Sequence, residues 1–195
     1  MADRFESGRI EAFSDAVFSI AATLLVLEIT IPESGFDDLW GGIADEWPSY
    51  LAYVTSFLTI GALWLAHHAL FRRMSYADPI VVRINLLLLM VVAFLPFPTS
   101  LVADAIDTTH AERAAVAFYG ATLFLVSALF GLLGRYVISS DNLLHEGAED
   151  DVRKLVRRLT PSLGFYLVVL LLARVAPAAA AVGFLAVAVN GVVRA

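Results

Sequence analysis

Six stretches of the chain are apolar enough to predict membrane-spanning helices, with short polar connections between them. Their approximate bounds are residues 10–31, 47–71, 80–102, 114–138, 159–174 and 178–193. A spanning helix needs about 20 mainly apolar residues, which the first four stretches exceed and the last two approach. Only "VAPA" separates those two, and its Pro177 is well placed to end one helix and start the next. The pattern predicts an all-α, polytopic membrane protein with six transmembrane helices in one domain, residues 1–195.

Composition agrees with a membrane protein and excludes several other classes. Hydrophobic residues make up 59% of the chain, more than the roughly 45–50% of an ordinary soluble domain. The chain has no cysteine, so neither a disulfide nor a thiolate metal site is possible. Its 13 basic residues are scattered over short loops. They do not form the continuous basic surface that nucleic acid requires, so no nucleic-acid partner is expected.

The distribution of arginine and lysine predicts the orientation, because short cytoplasmic loops are enriched in both. With six helices and both termini inside, the cytoplasmic segments hold eleven basic residues: Arg4, Arg9, Arg72, Arg73, Arg83, Arg135, Arg153, Lys154, Arg157, Arg158 and Arg194. The opposite side holds only Arg113 and Arg174. The first outer loop carries five acidic residues and no basic one: Glu33, Asp37, Asp38, Asp45 and Glu46. We therefore expect a multi-pass protein of the cell (plasma) membrane with both termini in the cytoplasm.

The first apolar stretch begins with polar residues that a purely lipid-facing helix does not need. At about 100° per residue, Glu11 and Asp15 lie on one side of this helix. Ile20, Thr23 and Leu27 form a second stripe about 120° away. Burying Asp15 in a membrane costs about 2.5–3.5 kcal/mol, so this carboxylate is expected to be paired or to face water. The alternative is that Glu11 and Asp15 lie shallowly at the cytoplasmic interface.

Two adjacent histidines, His67 and His68, lie near the end of the second stretch, at a depth similar to that of Asp15. They point about 100° apart, so only one of them is expected to face Asp15. A hydrogen-bonded cluster between helices and a proton relay through Asp15 and a histidine are both compatible with this pattern. A zinc site is not predicted, because no third ligand converges at helical spacing. A serine triad of Ser14, Asp15 and His68 is not expected either, since adjacent helical residues cannot orient one another as a triad requires.

The third apolar stretch contains Asn85 in its cytoplasmic third and Pro96 and Pro98 in its outer third. A proline inside a helix kinks or breaks it, and the freed backbone groups then need partners inside the protein. We expect either a bent packing helix or a fixed bend that shapes the wall of a cavity.

Three motifs occur in order along the first three stretches. Arg9 and residues 13–15 give "RxxxFSD", residues 64–68 read "WLAHH", and residues 83–100 contain "RIN" followed by "PFPTS". In this order they resemble the bacterial members of the transmembrane protein 175 family, relatives of the endosomal and lysosomal potassium channel. The last three stretches are similar to that family only in number and hydropathy.

The resemblance implies a homotetrameric, potassium-selective channel of six-helix subunits without the "TVGYG" filter, a sequence that is absent here. It implies a pore lined by the first helix, with an apolar constriction at Ile20 and Leu27 and a polar layer at Thr23. It also implies a polar lock that holds this helix in place: Arg9, Phe13, Ser14, Asp15, Trp64, His67, His68 and Asn85. The implied partners are further copies of the chain, membrane lipid and the permeant potassium ion, with no other metal and no cofactor.

Two other function classes stay open at this point. A proton-coupled transporter or proton-leak protein would use Asp15 and His68, and a membrane scaffold or sensor would transport nothing. The pattern does not indicate an enzyme. Potassium flux that ignores pH would separate the channel from the proton-coupled class.

Overall fold

The computed structural model describes residues 5–105, 109–140, 143–157 and 177–194, together with Gly164 and Val168. Within these residues we number eight α-helices in chain order. They are α1 (Ser7–Leu24), α2 (Leu39–Asp45), α3 (Trp47–Phe71), α4 (Pro79–Phe94), α5 (Pro96–Ala105), α6 (Thr109–Ser139), α7 (residues 149–157) and α8 (Pro177–Arg194). Two short 3-10 helices, Leu25–Glu28 and Glu33–Phe36, lie between α1 and α2. The all-α prediction is confirmed for the part of the chain that the structure describes.

Four of the described segments are long and apolar enough to cross a membrane. They are Ser7–Glu28, Trp47–Phe71, Pro79–Ala105 and Ala111–Ser139, and they correspond to the first four predicted helices. The sixth predicted helix, residues 178–193, coincides with α8, whose apolar part is the shorter segment Val182–Val193. The fifth, residues 159–174, lies outside the described residues except for Gly164 and Val168, which are helical.

The first membrane segment ends at Glu28, before the predicted residue 31. Here α1 tightens into the 3-10 helix Leu25–Glu28, and Ile29 already has an extended backbone. The sequence that follows explains this, because β-branched residues lead up to Pro32 and a residue before proline avoids the helical conformation.

The third membrane segment is broken at Leu95, directly before Pro96. A proline has no N–H to donate, and its ring clashes with the preceding turn, so α4 ends at Phe94 and α5 begins anew. The carbonyl oxygen of Leu95 accepts from the N–H of Thr99 at 3.2 Å and from its hydroxyl at 2.8 Å, so the first turn of α5 begins at the break. The predicted interruption is confirmed, and it lets α4 and α5 contact different parts of the bundle.

The packing places α3 in contact with α1, α5 and α8, while α6 contacts α4 and α5. α1 lies against both α3 and α4. One apolar core runs through these contacts, and its buried side chains include Phe18, Ile60, Leu88, Leu133 and Phe184. The polar residues at the start of α1 are therefore brought against the end of α3 and the start of α4.

The connection between α3 and α4, residues 72–78, marks what we call the inner end of the bundle. Two of its residues form isolated antiparallel bridges: Ala77 pairs with Phe5, and Met74 pairs with Leu144. These bridges attach the segment before α1 and the segment before α7 to the same turn. The start of α1 is thus fixed at the inner end by backbone hydrogen bonds as well as by side chains.

The loop between α1 and α3 lies at the opposite, outer end of the bundle and has regular secondary structure. It contains α2 and the 3-10 helix Glu33–Phe36, which touch at Gly35 and Gly42. A Cβ atom added at Gly42 would lie 2.8 Å from the carbonyl oxygen of Gly35, so only glycine permits this approach.

Three hydroxyl groups meet in the outer half of the bundle, where α3, α5 and α6 converge. Ser56 is hydrogen-bonded to Thr99 at 2.8 Å and to Tyr119 at 3.0 Å, and all three side chains are buried. Polar groups within a membrane find no partner in lipid, so these hydroxyls pair with one another. The cluster therefore ties the three helices together.

We expect Ser56 and Tyr119 to be energetically coupled. Ser56→Ala and Tyr119→Phe, made singly and together, should give a coupling free energy of about 0.6 kcal/mol, the average for interhelical hydrogen bonds in a membrane protein. Unfolding of the purified protein in detergent measures it. A cycle of Ser56→Ala with Thr122→Val is the control, because Thr122 donates to the carbonyl oxygen of Phe118 in its own helix. Equal coupling in both cycles would contradict the prediction.

Candidate functional site

A chain of three buried polar side chains at the inner end connects α1, α4 and α3. Asn85 on α4 donates from Nδ2 to the hydroxyl oxygen of Ser14 on α1 at 3.0 Å. Its Oδ1 lies 2.8 Å from Nε2 of His67 on α3. Ser14 in turn donates to the carbonyl oxygen of Ile10 at 2.8 Å. All three side chains are buried, so these hydrogen bonds join the three helices inside the protein.

The direction of these hydrogen bonds assigns a role to each group. Because the amide nitrogen of Asn85 faces Ser14, its oxygen faces His67, and the imidazole donates from Nε2–H. Aromatic rings enclose the rest of His67: Phe71 stacks on it with ring centroids 4.3 Å apart, and Phe18 lies at 5.3 Å. His67 is therefore a packed, structural histidine that holds α3 against α1 and α4.

A second group on α1 and α3 borders the surface, and we call it the inner-end carboxylate group: Glu11, Asp15, Trp64 and His68. Trp64 donates from Nε1 to Oδ1 of Asp15 at 2.8 Å. Nδ1 of His68 lies 2.7 Å from Oε1 of Glu11. The indole of Trp64 stacks on the imidazole of His68 with ring centroids 5.7 Å apart. Both carboxylates and His68 are partly buried, whereas Trp64 is exposed.

The opposite side of α1 carries a row of exposed residues that we call the exposed stripe. Its members, three or four residues apart, are Arg9, Phe13, Ala16, Ile20, Thr23 and Leu27. At about 100° per residue they fall within an arc of about 80°. Ile20 is 58% exposed and Leu27 is 67% exposed. The packing of the described chain thus leaves one whole side of α1 uncovered.

Two residues of the predicted lock, Arg9 and Phe13, join neither polar group. Both lie on the exposed stripe, Phe13 with 53% of its surface accessible. The structure records no side-chain hydrogen bond or ion pair between Arg9 and any residue that it describes. The reason is direction, since both side chains project from the side of α1 that faces away from α3 and α4. The two polar groups therefore contain the other six residues of the predicted lock, without Arg9 and Phe13.

Glu11 belongs to this group although the sequence pattern predicts no partner for it. It lies one turn before Asp15 on the same side of α1, and this spacing is the signal that both carboxylates face the same neighbouring helix. The sequence pattern shows no third metal ligand at helical spacing beside Asp15 and a histidine, whereas the fold brings Glu11 close to both. One donor atom each from Glu11, Asp15 and His68 lies within 4.8 Å of the other two. The sequence pattern relates Asp15 to a histidine on α3, and the member that it does not include is Glu11.

Thr23 and Leu27 differ in their local backbone although both lie on the exposed stripe. The hydroxyl of Thr23 donates to the carbonyl oxygens of Ser19 and Ile20, each at 3.0 Å. Its proton is used within the helix, so its oxygen can still accept a hydrogen bond or coordinate a cation. Leu27 lies in the 3-10 helix Leu25–Glu28 and not in the regular α-helix.

Comparison with known proteins gives consistent matches over these elements. The model of the family "Endosomal/lysosomal potassium channel TMEM175" matches residues 9–96. A potassium channel of Streptomyces collinus is 42% identical over 139 residues, which cover 71% of this chain and 68% of that protein. The crystal structure of a lysosomal potassium-selective channel TMEM175 homologue from Chamaesiphon minutus is similar with a TM-score of 0.86. It is 33% identical in sequence, and the match covers 96% of this chain and 97% of that one.

A vertebrate relative carries a different functional name. The endosomal/lysosomal proton channel TMEM175 of Gallus gallus is 33% identical over 147 residues. The match covers 71% of this chain but 28% of that longer protein.

Asn85→Ala should destabilise the protein more than Ser14→Ala does. It removes two interhelical hydrogen bonds, whereas Ser14→Ala removes one. It also leaves the Nε2–H of the buried His67 without a partner, at a cost of about 1–3 kcal/mol. Ser14→Ala leaves only the amide of Asn85 unpaired. The thermal midpoint of the purified protein in detergent measures the difference. Asn190→Ala is the control, because Asn190 on α8 is exposed. A midpoint for Asn85→Ala equal to that of Asn190→Ala would show that the buried chain contributes little.

Proposed function

The chain belongs to the family of the endosomal/lysosomal potassium channel TMEM175, and we propose that it forms a potassium channel. The relatives in Streptomyces collinus and Chamaesiphon minutus are named as potassium channels, which supports this choice of ion. One observation carries the architecture: the exposed stripe gives α1 a continuous surface that the described residues of its own chain leave uncovered. We infer that four copies bring these stripes together around a central pore.

The burial of α1 supports this arrangement. In the most apolar part of its membrane segment, 22% of the residues are buried inside the subunit, against 44% for Pro79–Ala105 and for Ala111–Ser139. The exposed stripe also includes Arg9 and Thr23, whereas polar residues in membrane helices usually face the protein interior or a water-filled cavity. A pore lined by α1 accounts for both its low burial and its polar residues.

Ile20 and Leu27 are the proposed constriction. In a fourfold arrangement each position contributes a ring of apolar side chains that point to the axis. The two rings are about 10 Å apart, because seven residues rise by about 1.5 Å each. A narrow apolar ring expels water, and a dry pore stops hydrated ions, so either ring can act as a gate.

Thr23 is the proposed polar layer between the two rings. Since its hydroxyl proton is donated to the backbone of α1, four threonine oxygens can offer lone pairs to an ion on the axis. Potassium loses part of its hydration shell more readily than sodium. Partial dehydration at the rings, offset by oxygen ligands at Thr23, therefore favours potassium.

We infer that the inner end faces the cytoplasm of a cell (plasma) membrane. The connection between α3 and α4 carries Arg72 and Arg73, and α7 carries Arg153 and Lys154. The outer loop has five acidic residues and no basic one. This asymmetry follows the enrichment of basic residues on the cytoplasmic side and places both termini there.

A proton pathway through the inner-end carboxylate group is the second candidate function. Donor atoms of Glu11, Asp15 and His68 lie within 4.8 Å of one another, a separation that one water molecule can bridge for proton exchange. The relative in Gallus gallus is named as a proton channel. In this case Asp15 and His68 carry the proton.

Flux into liposomes that contain the purified protein separates the two candidates. For the potassium channel we expect a potassium gradient to drive flux well above that of an equal sodium gradient, with little dependence on pH. Asp15→Asn should keep this flux, because its amide oxygen can still accept the hydrogen bond from Trp64. A pH-dependent proton current that Asp15→Asn abolishes would instead favour the second candidate. No flux of any ion from folded tetramers would contradict both and favour a scaffold or sensor.

Ile20→Asn should raise sodium permeation relative to potassium. The polar side chain wets the ring and reduces the dehydration that an ion must undergo to pass. The permeability ratio, measured from reversal potentials in planar bilayers, is the readout. Met90→Asn is the matched control, because Met90 on α4 is also an exposed apolar residue, with 63% of its surface accessible. An unchanged ratio in Ile20→Asn would exclude Ile20 as the selective ring.

A further inference from the structure

We propose that Glu11, Asp15 and His68 bind a divalent transition-metal ion, for which Zn²⁺ is the best match. The three side chains come from α1 and α3, and one donor atom of each lies within 4.8 Å of the donor atoms of the other two. Zinc binds imidazole nitrogen and carboxylate oxygen, and its open sites use three protein ligands with a fourth position for water. This site goes beyond the proposed function, which requires no resident metal.

The distances suit zinc after small side-chain rotations. Zinc–ligand bonds of about 2.0–2.2 Å place the donors of a tetrahedral site roughly 3.4 Å apart. Oε1 of Glu11 and Nδ1 of His68 are 2.7 Å apart, which is somewhat closer than this. Asp15 lies within 4.8 Å of both, so it needs to move inwards. Both adjustments concern carboxylate side chains, and that of Asp15 must keep Oδ1 within reach of Trp64.

The contact between Glu11 and His68 is short but is not aligned as a hydrogen bond. Nδ1 of His68 is shielded from solvent and has no hydrogen-bond partner, although the carboxylate oxygen is 2.7 Å away. A buried nitrogen without a partner is costly. A metal ion between the nitrogen and the two carboxylates would satisfy all three groups.

The imidazole of His68 favours a transition metal over the other cations of the cell. Magnesium and calcium take oxygen ligands, whereas imidazole suits zinc, copper, iron and nickel. The two carboxylates supply the negative charge that offsets a divalent ion. Without cysteine in the chain, ions that need thiolate ligands are excluded.

Trp64 is a positioning residue for this site. Its Nε1–H donates to Oδ1 of Asp15 at 2.8 Å, which leaves the other carboxylate oxygen free for a metal. Its indole also stacks on the imidazole of His68 with an interplanar angle of 27°. Outer contacts of this kind hold metal ligands in their binding geometry.

Bound zinc would join the inner end of α1 to α3 through ligand bonds. By opposing movement of α1, it should lower ion flux through the pore, and this effect rests on the proposed function. The binding itself does not. Zinc that binds at these residues without changing flux would count against the role of α1 in the pore and would leave the site supported.

Titration calorimetry with ZnCl₂ tests the site on the full-length protein, purified in detergent without a histidine tag. We expect one zinc ion per subunit, and affinity lowered about tenfold or more by Glu11→Gln and by His68→Gln. His145→Gln is the matched control, because His145 is exposed in the segment before α7. Unchanged affinity in Glu11→Gln and His68→Gln, or an equal loss in His145→Gln, would overturn the proposal.

Two further measurements apply even if those variants fold poorly. Trp64→Phe keeps all three ligands and should still weaken zinc binding about tenfold, because Asp15 loses its orienting hydrogen bond. X-ray absorption by zinc bound to the wild-type protein should report one imidazole together with oxygen ligands. Two or more imidazoles would overturn the proposal, since His68 is the one histidine in this group of ligands.

Discussion

Polar groups that cannot pair with lipid must pair inside the protein, and this constraint fixes the position of α1. Ser14, Asn85 and His67 are buried on three different helices and are joined by direct hydrogen bonds. Rotating or sliding α1 would leave at least one of these groups unpaired, at a cost of about 1–3 kcal/mol for each. The positions of the other polar side chains at the inner end follow from this position of α1. With Ser14 turned towards α4, the next residue, Asp15, comes to lie beside Trp64 on α3.

The same hydrogen bonds determine which side of α1 stays free. The side that carries Ser14 and Phe18 is buried against α3 and α4, so the side with Ile20 and Thr23 has no cover from the part of the chain that the structure describes. α1 therefore has one fixed face and one free face. A pore built from the free faces needs no separate filter loop. The proposed gate at Ile20 and the proposed oxygen ligand at Thr23 are side chains whose orientation is set by hydrogen bonds on the far side of the same helix.

Local features of this fold could be predicted from the sequence, whereas contacts between helices could not. Apolar length predicts α3 at Trp47–Phe71 without error, and Pro96 predicts the break between α4 and α5. These features depend on neighbouring residues alone. The partner of Glu11 depends on how α1 is rotated against α3, which spacing within one helix does not contain. The rotation of α1 also decides the position of Arg9. The sequence motif groups Arg9 with Ser14 and Asp15, but its side chain points away from α3 and α4.

The two proposed pore rings depend on different ends of the bundle. Ile20 lies in the regular part of α1, less than two turns from Ser14, so the buried hydrogen bonds at the inner end set its position. Leu27 lies in the 3-10 helix Leu25–Glu28, which contacts α3 and α5. The direction of α5 is set separately, because the helix is broken directly before Pro96. A 3-10 turn also has poorer hydrogen-bond geometry than an α-helix. A change in α5 therefore reaches the turn that carries Leu27, while the polar groups of the inner end hold Ile20.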